Sequence, residues 1–420
     1  MNISNKFKRS YIITLFSSSV LIILNISLFK LAASKLGPDG FAEYNIIRRY
    51  ISLLLPIVLL GFGVAVPRMI AKSKDIINVK YYYYYAIIVF SIIFIFWGVV
   101  SIEFKSTFSQ ILFGTSSRDR IIIPFTIWLF ALGIHSMNYA YYHGVFNMRI
   151  ANTIAVLSMG IIPLVPFLFP LNDIFNVILL TSIILLFFSL AIMFYLLSGM
   201  KFHTKQMRKY GKELIVFGSG RVPGHFALAG LLTFPSFFAV HFVDLKTAGY
   251  IAFGNTIVTL LSSLFNPIST VLLPYASNHA RDNETEKLNS ELFLMLKIVL
   301  VIVVISVIIT WIILPPLIVW YLGEEYRESI GLLRTILPIA ISYSIFITIR
   351  SVNESMEKRP VNSINLIYSL FLCVFLSLLV WIMFNNFYYV LVVYNFSFVL
   401  LAVLSYLSML KILKKNDHSL

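Results

Sequence analysis

Two runs of polar side chains, half a chain apart, interrupt otherwise apolar segments at the spacing of one helix face. The first run is Asn45, Arg49 and Ser52, with Pro56 at the same spacing, and the second is Asn255, Thr259, Ser262, Asn266 and Ser269. Residues three and four positions apart lie on one side of a helix, so each run predicts one polar face. An arginine costs about 2.5–3.5 kcal/mol at the centre of a membrane helix, which makes Arg49 a functional candidate.

Other cationic and polar residues also fall within or beside apolar segments. The further cationic candidates are Arg48, Arg221, Lys30 and Lys297, and the further polar candidates are Asn25 and His225. A guanidinium group binds phosphate or diphosphate through two parallel hydrogen bonds. We find no Asp or Glu deep in any apolar segment, and place Glu43 at a helix end. The sequence therefore predicts a cationic, polar cavity for an anionic substrate, with no catalytic residue, metal site or cofactor.

Three alternatives to this interpretation stay open. The polar run that begins at Asn255 is also typical of hydrogen bonding between membrane helices. Lys30 and Lys297 could extend along the helix surface and place their charges among lipid headgroups. His225 could titrate near neutral pH, although a histidine in a membrane helix is more often a packing residue.

The elements that would position these residues are membrane-spanning helices. The chain is 59% hydrophobic and 12% charged, with a mean hydropathy of +0.89. About twelve stretches reach the ~20 residues that a helix needs to cross a bilayer. We predict spans at 11–33, 44–66, 81–103, 121–143, 151–170, 174–198, 214–241, 248–274, 291–314, 329–351, 361–384 and 387–410. Continuous apolar runs favour helices over the alternating strands of a membrane barrel.

The distribution of basic residues predicts the topology. Most of the 33 lysines and arginines fall on one side if both termini are cytoplasmic, as the positive-inside rule expects. This bias explains the net charge of +15 without nucleic acid. Cys373 is the only cysteine, so the chain can form no intrachain disulfide.

Internal similarity predicts two related six-helix halves. The segment 40–45 resembles 249–255, and 147–153 resembles 357–363 at the same offset. An even number of helices per half gives both halves the same orientation, so we expect a pseudo-twofold axis along the membrane normal. The predicted organisation is a lobe at 1–198, a cytoplasmic linker at 199–213 and a lobe at 214–420.

A break is predicted where the second lobe begins. Three glycines and one proline lie within seven residues: Gly218, Gly220, Pro223 and Gly224. Proline removes a helical hydrogen bond and glycine permits bending. We predict a hinge here, and the alternative is a static kink.

The order of several short motifs resembles a known family. They are Leu36-Gly37-Pro38-Asp39-Gly40-Phe41, Gly61-Phe62-Gly63, Pro67-Arg68, Gly249-Tyr250, Pro267, Leu273-Pro274 and Leu322-Gly323-Glu324-Glu325-Tyr326. With these motifs the chain resembles, over nearly its whole length, the flippases for lipid-linked O-antigen and related polysaccharide units. These flippases are part of the multidrug/oligosaccharidyl-lipid/polysaccharide (MOP) exporter superfamily.

The resemblance implies an all-α, MATE-like protein of two six-helix bundles in a V, opening alternately to each side. It implies movement of an undecaprenyl-diphosphate-linked oligosaccharide to the periplasmic leaflet of a bacterial inner membrane. Polysaccharide polymerase or chain-length machinery would be partners, and coupling to H+ or Na+ stays open. The alternative is an ion-coupled small-molecule or multidrug exporter of the same fold. A polymerase or glycosyltransferase is disfavoured by the short loops.

Overall fold

The computed structural model describes residues 3–73, 76–198, 204–266, 268, 285–356 and 359–417. Within these ranges the chain is almost entirely helical and contains no β-strand. The prediction of helices rather than a barrel is therefore confirmed, since every described apolar stretch is helical. The candidate Ser269 lies outside the described residues.

The helices of the first half include several pieces shorter than a membrane span. The α-helices are α1 Ile3–Val58, α2 Phe62–Lys72, α3 Ile76–Glu103, α4 Lys105–Phe113, α5 Ile122–Gly144, α6 Met148–Val156, α7 Ile162–Leu164, α8 Ile174–Leu197 and α9 Thr204–Ser219. A 3-10 turn at Ser116–Ile121 precedes α5. A short π-helix at Leu157–Ile161 joins α6 to α7, and a short 3-10 helix at Val165–Leu168 follows.

The second half contains seven described helices. They are α10 Val222–Phe242, α11 Leu245–Ser263, α12 Thr285–Tyr321, α13 Ser329–Ile336, α14 Ile339–Met356, α15 Val361–Phe384 and α16 Phe387–Asp417. A 3-10 turn at Glu324–Tyr326 lies between α12 and α13.

Ten helices in the described part of the chain are long and apolar enough to cross a membrane. The first two predicted spans are joined in α1, which is kinked at Gly37 with φ 65° and ψ −177°. Only glycine adopts this positive φ readily, and the following proline disfavours a helical conformation at that position. The eighth predicted span, 248–274, is represented by α11, and its end lies outside the described residues.

The chain divides into two compact units, and the boundary lies between Val222 and Pro223. This boundary differs from the predicted linker at 199–213 and the predicted second lobe from 214. Residues from Thr204 onward form α9, which packs against α2 and α3 of the first unit. Tyr210 of α9 stacks on Tyr81, and the Tyr82 hydroxyl donates to the Glu213 carboxylate. Aromatic and polar contacts therefore hold α9 in the first unit.

The core of the first unit is centred on α5, which packs against α1, α2, α3, α6 and α8. Asn138 on α5 is fully buried and donates to the Ser189 carbonyl of α8. The same amide accepts a hydrogen bond from the Tyr83 hydroxyl of α3. Asn138 thus connects three helices, and its amide, the Tyr83 hydroxyl and the Ser189 carbonyl are hydrogen-bonded in an apolar interior.

The second unit is organised in a comparable way around α14, α15 and α16. Asn353 on α14 is buried and donates to the Ser405 carbonyl of α16 and to the Asn362 side chain of α15. The Asn362 amide in turn donates to the Arg350 carbonyl. These hydrogen bonds connect α14, α15 and α16.

A pair of glycines allows two backbones to touch in the first unit. Gly61, between α1 and α2, has φ 73°, and a Cβ there would collide with the Gly218 carbonyl oxygen at the end of α9. A Cβ on Gly218 would in turn collide with the Leu60 carbonyl oxygen. Neither position tolerates a side chain unless one backbone moves. The pair therefore fixes the end of α9 against the start of α2.

We predict that Gly61→Ala lowers stability while Gly63→Ala does not. Alanine at position 61 requires a left-handed conformation that costs roughly 1–2 kcal/mol, in addition to the collision with Gly218. Gly63 lies inside α2, and a Cβ added there would have nothing within 4 Å, so alanine gains up to about 1 kcal/mol of helix propensity. Thermal unfolding of the detergent-purified protein measures both, and equal midpoints for the two variants would contradict the contact.

Candidate functional site

Arg48 is a cation held between two aromatic rings and an amide in the first unit. Its side chain is half-buried, and its Nη2 donates to the Asn25 side-chain oxygen at 2.8 Å across the two halves of α1. The guanidinium carbon lies 4.8 Å from the Phe29 ring centroid and 5.8 Å from that of Tyr44. Nη1 is buried with no hydrogen-bonding partner among the described residues. Two aromatic faces and an amide thus hold a guanidinium that keeps one unused donor.

The other members of the predicted first face are arranged differently. Asn45 is buried, and its amide donates to the Phe41 carbonyl on its own helix. Ser52 is exposed, and its hydroxyl donates to the Arg48 carbonyl. Arg49, which the sequence favoured over Arg48, is half-buried. Arg48, about 100° away from Arg49 around the helix, donates to Asn25 of the preceding helical segment.

Glu43 is the only acidic side chain buried in the described residues, being 3% exposed. Its carboxylate forms an ion pair with Arg118 of the turn before α5, and Arg118 is partly exposed. Glu43 lies six residues after the kink at Gly37, near the start of the second part of α1, which agrees with the predicted position near a helix end. Its charge is therefore offset by a neighbouring cation rather than available to a substrate cation.

The polar run of the second unit is largely occupied by contacts between helices. Asn255 is fully buried, donates to the Leu232 carbonyl of α10 and accepts from the Tyr394 hydroxyl of α16. Ser262 is buried and donates to the Ala340 carbonyl of α14, while Thr259 bonds the Asn255 carbonyl. For Asn255 and Ser262 the structure supplies the bonding between helices that the sequence left as an alternative, whereas the Thr259 hydroxyl donates within its own helix.

The remaining candidates are dispersed over the two units. Lys30 on α1 is exposed, and Lys297 on α12 is exposed with its ammonium 4.6 Å from the Phe293 ring centroid. His225 on α10 is half-buried, and Asn266 after α11 is exposed. The hydrogen bond and ring contacts of the Arg48 guanidinium described above involve none of these four residues.

Arg221 belongs to the first unit and not to the second lobe in which the sequence placed it. It lies in the turn between α9 and α10, half-buried, with its guanidinium carbon 4.9 Å from the Phe217 ring centroid. Arg68 of α2 approaches the same ring at 4.4 Å. Sequence reasoning assigned no site role to Arg68 or Phe217, because no pattern within one chain links residues so far apart.

The predicted hinge coincides with a break between helices. α9 ends at Ser219 and α10 begins at Val222, so Gly220 lies in the turn. Gly224 packs against Ser363 of α15, where a Cβ would collide with the hydroxyl, and Pro223 is exposed. The break is observed, and its function as a hinge stays a prediction.

Chemically, the first unit offers guanidinium groups without opposing carboxylates. Stacking on an aromatic ring occupies the face of a guanidinium and leaves the N–H edge available. Such an edge binds phosphate oxygens in pairs. In the described residues Arg48, Arg68 and Arg221 have no carboxylate partner, whereas Glu43 is paired. The arrangement suits an anion.

We predict that Tyr394→Phe destabilises the second unit, because it removes the donor to the buried Asn255 oxygen. The expected loss is about 1 kcal/mol, typical of hydrogen bonds between membrane helices. Tyr389→Phe on the same helix is the control, since Tyr389 is exposed. Thermal unfolding reports the difference. Unchanged midpoints in both variants would indicate that Asn255 is not needed for packing.

We also predict that Arg118→Gln destabilises the first unit by about 2 kcal/mol, less than a fully buried pair would lose because Arg118 is partly exposed. The change leaves Glu43 buried without its cation. Adding Glu43→Gln should recover most of the loss, and Arg120→Gln in the same turn should have little effect. Denaturation midpoints of these three variants and of Glu43→Gln alone test this, and a double-variant loss equal to the sum of the two single losses would contradict the coupling.

Comparison with known proteins finds similarity at the level of the fold. No family model matches the sequence, and no curated protein matches it. An inward-facing multidrug resistance MATE family transporter of the MOP superfamily superposes with a TM-score of 0.79 at 14% identity, covering 96% of this chain and 99% of that one.

Two further solved structures show the same likeness. A MOP superfamily transporter from Pyrococcus furiosus, described as having a binding pocket of reverse polarity, gives a TM-score of 0.68 at 13% identity, covering 98% of this chain and 96% of that one. The eukaryotic MATE transporter AtDTX14 gives 0.65 at 11% identity, covering 99% of each chain. The chain therefore has the all-helical, polytopic fold of the MATE structures.

Proposed function

We propose that this chain is a membrane transporter that works by alternating access. The support is the fold, which is similar both to an inward-facing and to an outward-facing structure of multidrug resistance MATE family transporters. A fold observed in both states is suited to moving a solute from one side of a membrane to the other.

For the substrate, we propose an anionic, lipid-linked oligosaccharide carried by a diphosphate. The observation that carries this proposal is Arg48, whose guanidinium is held on two rings and keeps a buried nitrogen without a partner in the described part of the chain. A buried donor without a partner costs free energy unless a ligand completes it. A diphosphate supplies both the charge and the acceptor oxygens.

The second candidate is an exporter of small molecules or drugs. The descriptions of two structural neighbours as multidrug resistance transporters favour it, and the comparisons support it more directly than the lipid-linked substrate. Against it, cation export usually relies on a carboxylate inside the membrane. In the described residues the one buried carboxylate, Glu43, is paired with Arg118. The Pyrococcus furiosus neighbour, with its pocket of reverse polarity, indicates that this fold accommodates different polarities.

Reconstitution into liposomes separates the two candidates. The first assay follows a fluorescent polyprenyl-diphosphate sugar, whose movement between leaflets is detected by dithionite quenching. The second follows uptake of the cationic dye ethidium under an imposed H+ or Na+ gradient. A flippase moves the lipid and leaves the dye, whereas a drug exporter does the reverse.

We predict that Arg48→Gln lowers the rate of lipid movement by about tenfold or more, as expected for loss of a charge-assisted hydrogen bond to a phosphate. Arg334→Gln is the matched control, since Arg334 also stacks on a ring, that of Trp311, but is part of the second unit. An unchanged rate in Arg48→Gln, together with ethidium transport, would replace the flippase proposal by the exporter.

A further inference from the structure

The ring of Phe217 is contacted by two arginines from different parts of the first unit. The guanidinium carbon of Arg68 lies 4.4 Å from the ring centroid and that of Arg221 lies 4.9 Å from it. The two carbons can therefore be no farther apart than the sum of these distances. Two cations this close repel each other unless something negative lies between or beside them.

Within the described residues, neither arginine of this pair forms an ion pair. The ion pairs found among them involve other cations, and neither Arg68 nor Arg221 has a carboxylate partner there. Arg68 is exposed and Arg221 is half-buried, so both edges can be reached from outside the unit. Within the described part of the chain, the pair is thus a cationic site without an ion-paired carboxylate.

The backbone positions this pair through the glycine contact. Gly218 follows Phe217 directly, and its carbonyl lies against Gly61 at the start of α2. Arg68 lies two turns into α2, and Arg221 lies in the turn that follows Gly218. The Arg221 amide donates to the Gly218 carbonyl at 3.0 Å, which closes that turn. The close backbone contact between Gly61 and Gly218 therefore brings Arg68 and Arg221 to the Phe217 ring.

We propose that Arg68 and Arg221, stacked on Phe217, form a binding site for a phosphate or diphosphate group. A ring-stacked guanidinium exposes its N–H edge, and two such edges can share the oxygens of one doubly charged group. Two cations match a dianion better than they match a single carboxylate. As a step in transport the site rests on the proposed function, because it would bind the diphosphate of the substrate before Arg48 does.

The phosphate could come from two sources, a lipid-linked substrate or the headgroup of an anionic membrane lipid. The site lies at the end of the first unit that the distribution of basic residues predicts to be cytoplasmic. Either source would meet the site on that side of the membrane. The chemistry recognised is the same in either case, so the experiment must separate the sources.

The test is calorimetric titration of inorganic diphosphate into the full-length protein in phosphatidylcholine nanodiscs, at about 0.15 M salt. We expect Arg68→Gln and Arg221→Gln each to weaken binding by about tenfold, the loss typical of one charge-assisted hydrogen bond. The double variant should be little weaker than either single variant, because one arginine alone no longer forms the site.

Two further variants separate this site from general attraction to positive charge. Arg68→Lys keeps the charge but loses the planar fork, and should bind nearly as weakly as Arg68→Gln. Arg120→Gln is the matched control, since Arg120 approaches a different ring, that of Phe175, at 5.4 Å, and its loss should leave binding unchanged. Wild-type binding in Arg68→Gln and Arg221→Gln, or an equal loss in Arg120→Gln, would overturn the proposal.

A second set of nanodiscs contains phosphatidylglycerol. If this lipid suppresses diphosphate binding by the wild type, and native mass spectrometry finds it retained by the wild type but not by Arg68→Gln, the site binds lipid headgroups. If diphosphate still binds, the substrate is the source. Normal lipid movement without diphosphate binding would refute this site alone, whereas normal binding without lipid movement would refute the proposed function alone.

Discussion

Hydrogen-bond satisfaction inside apolar helical bundles is the constraint on which both units depend. Asn138 in the first unit and Asn255 in the second solve it in the same way. Each amide donates to a carbonyl of one neighbouring helix and accepts from a tyrosine hydroxyl of another, Tyr83 or Tyr394. Without water in the surroundings, such groups must be paired within the protein. Packing of three helices and polar pairing are therefore one requirement.

Three cations of the first unit are informative because, among the described residues, none of them has a carboxylate partner. Arg48 pairs one nitrogen with Asn25 and leaves another buried nitrogen without a partner, and Arg68 and Arg221 share a ring. Glu43 shows the contrasting case, since the protein supplies Arg118 for it. A unit that pairs its buried carboxylate but leaves Arg48, Arg68 and Arg221 without a carboxylate partner in the described residues is suited to a negative ligand.

Helix positions can be predicted from the sequence because apolar length and the period of a helix are local properties. The kink at Gly37 and the break at 218–224 follow from glycine and proline, which also act locally. Side-chain partners cannot be predicted in this way. The choice between Arg48 and Arg49 depends on where the preceding helical segment lies, and the pairing of Arg68 with Arg221 depends on a contact between distant backbones. The polar run at Asn255 predicts a face but not what covers it.

The structure places the cationic candidates Arg48 and Arg221 in one unit, whereas the sequence predicted them in two lobes. The sequence assigned Arg48 to one lobe and Arg221 to the other, which predicted recognition shared between lobes. The structure assigns both to the first unit, because α9 ends against Gly61 and carries Arg221 with it. In the second unit the corresponding face is neutral, and Asn255 is used for packing. Under the proposed function, binding of the diphosphate is then a property of the first unit, and any sequence of contacts from Arg221 to Arg48 lies within a single bundle.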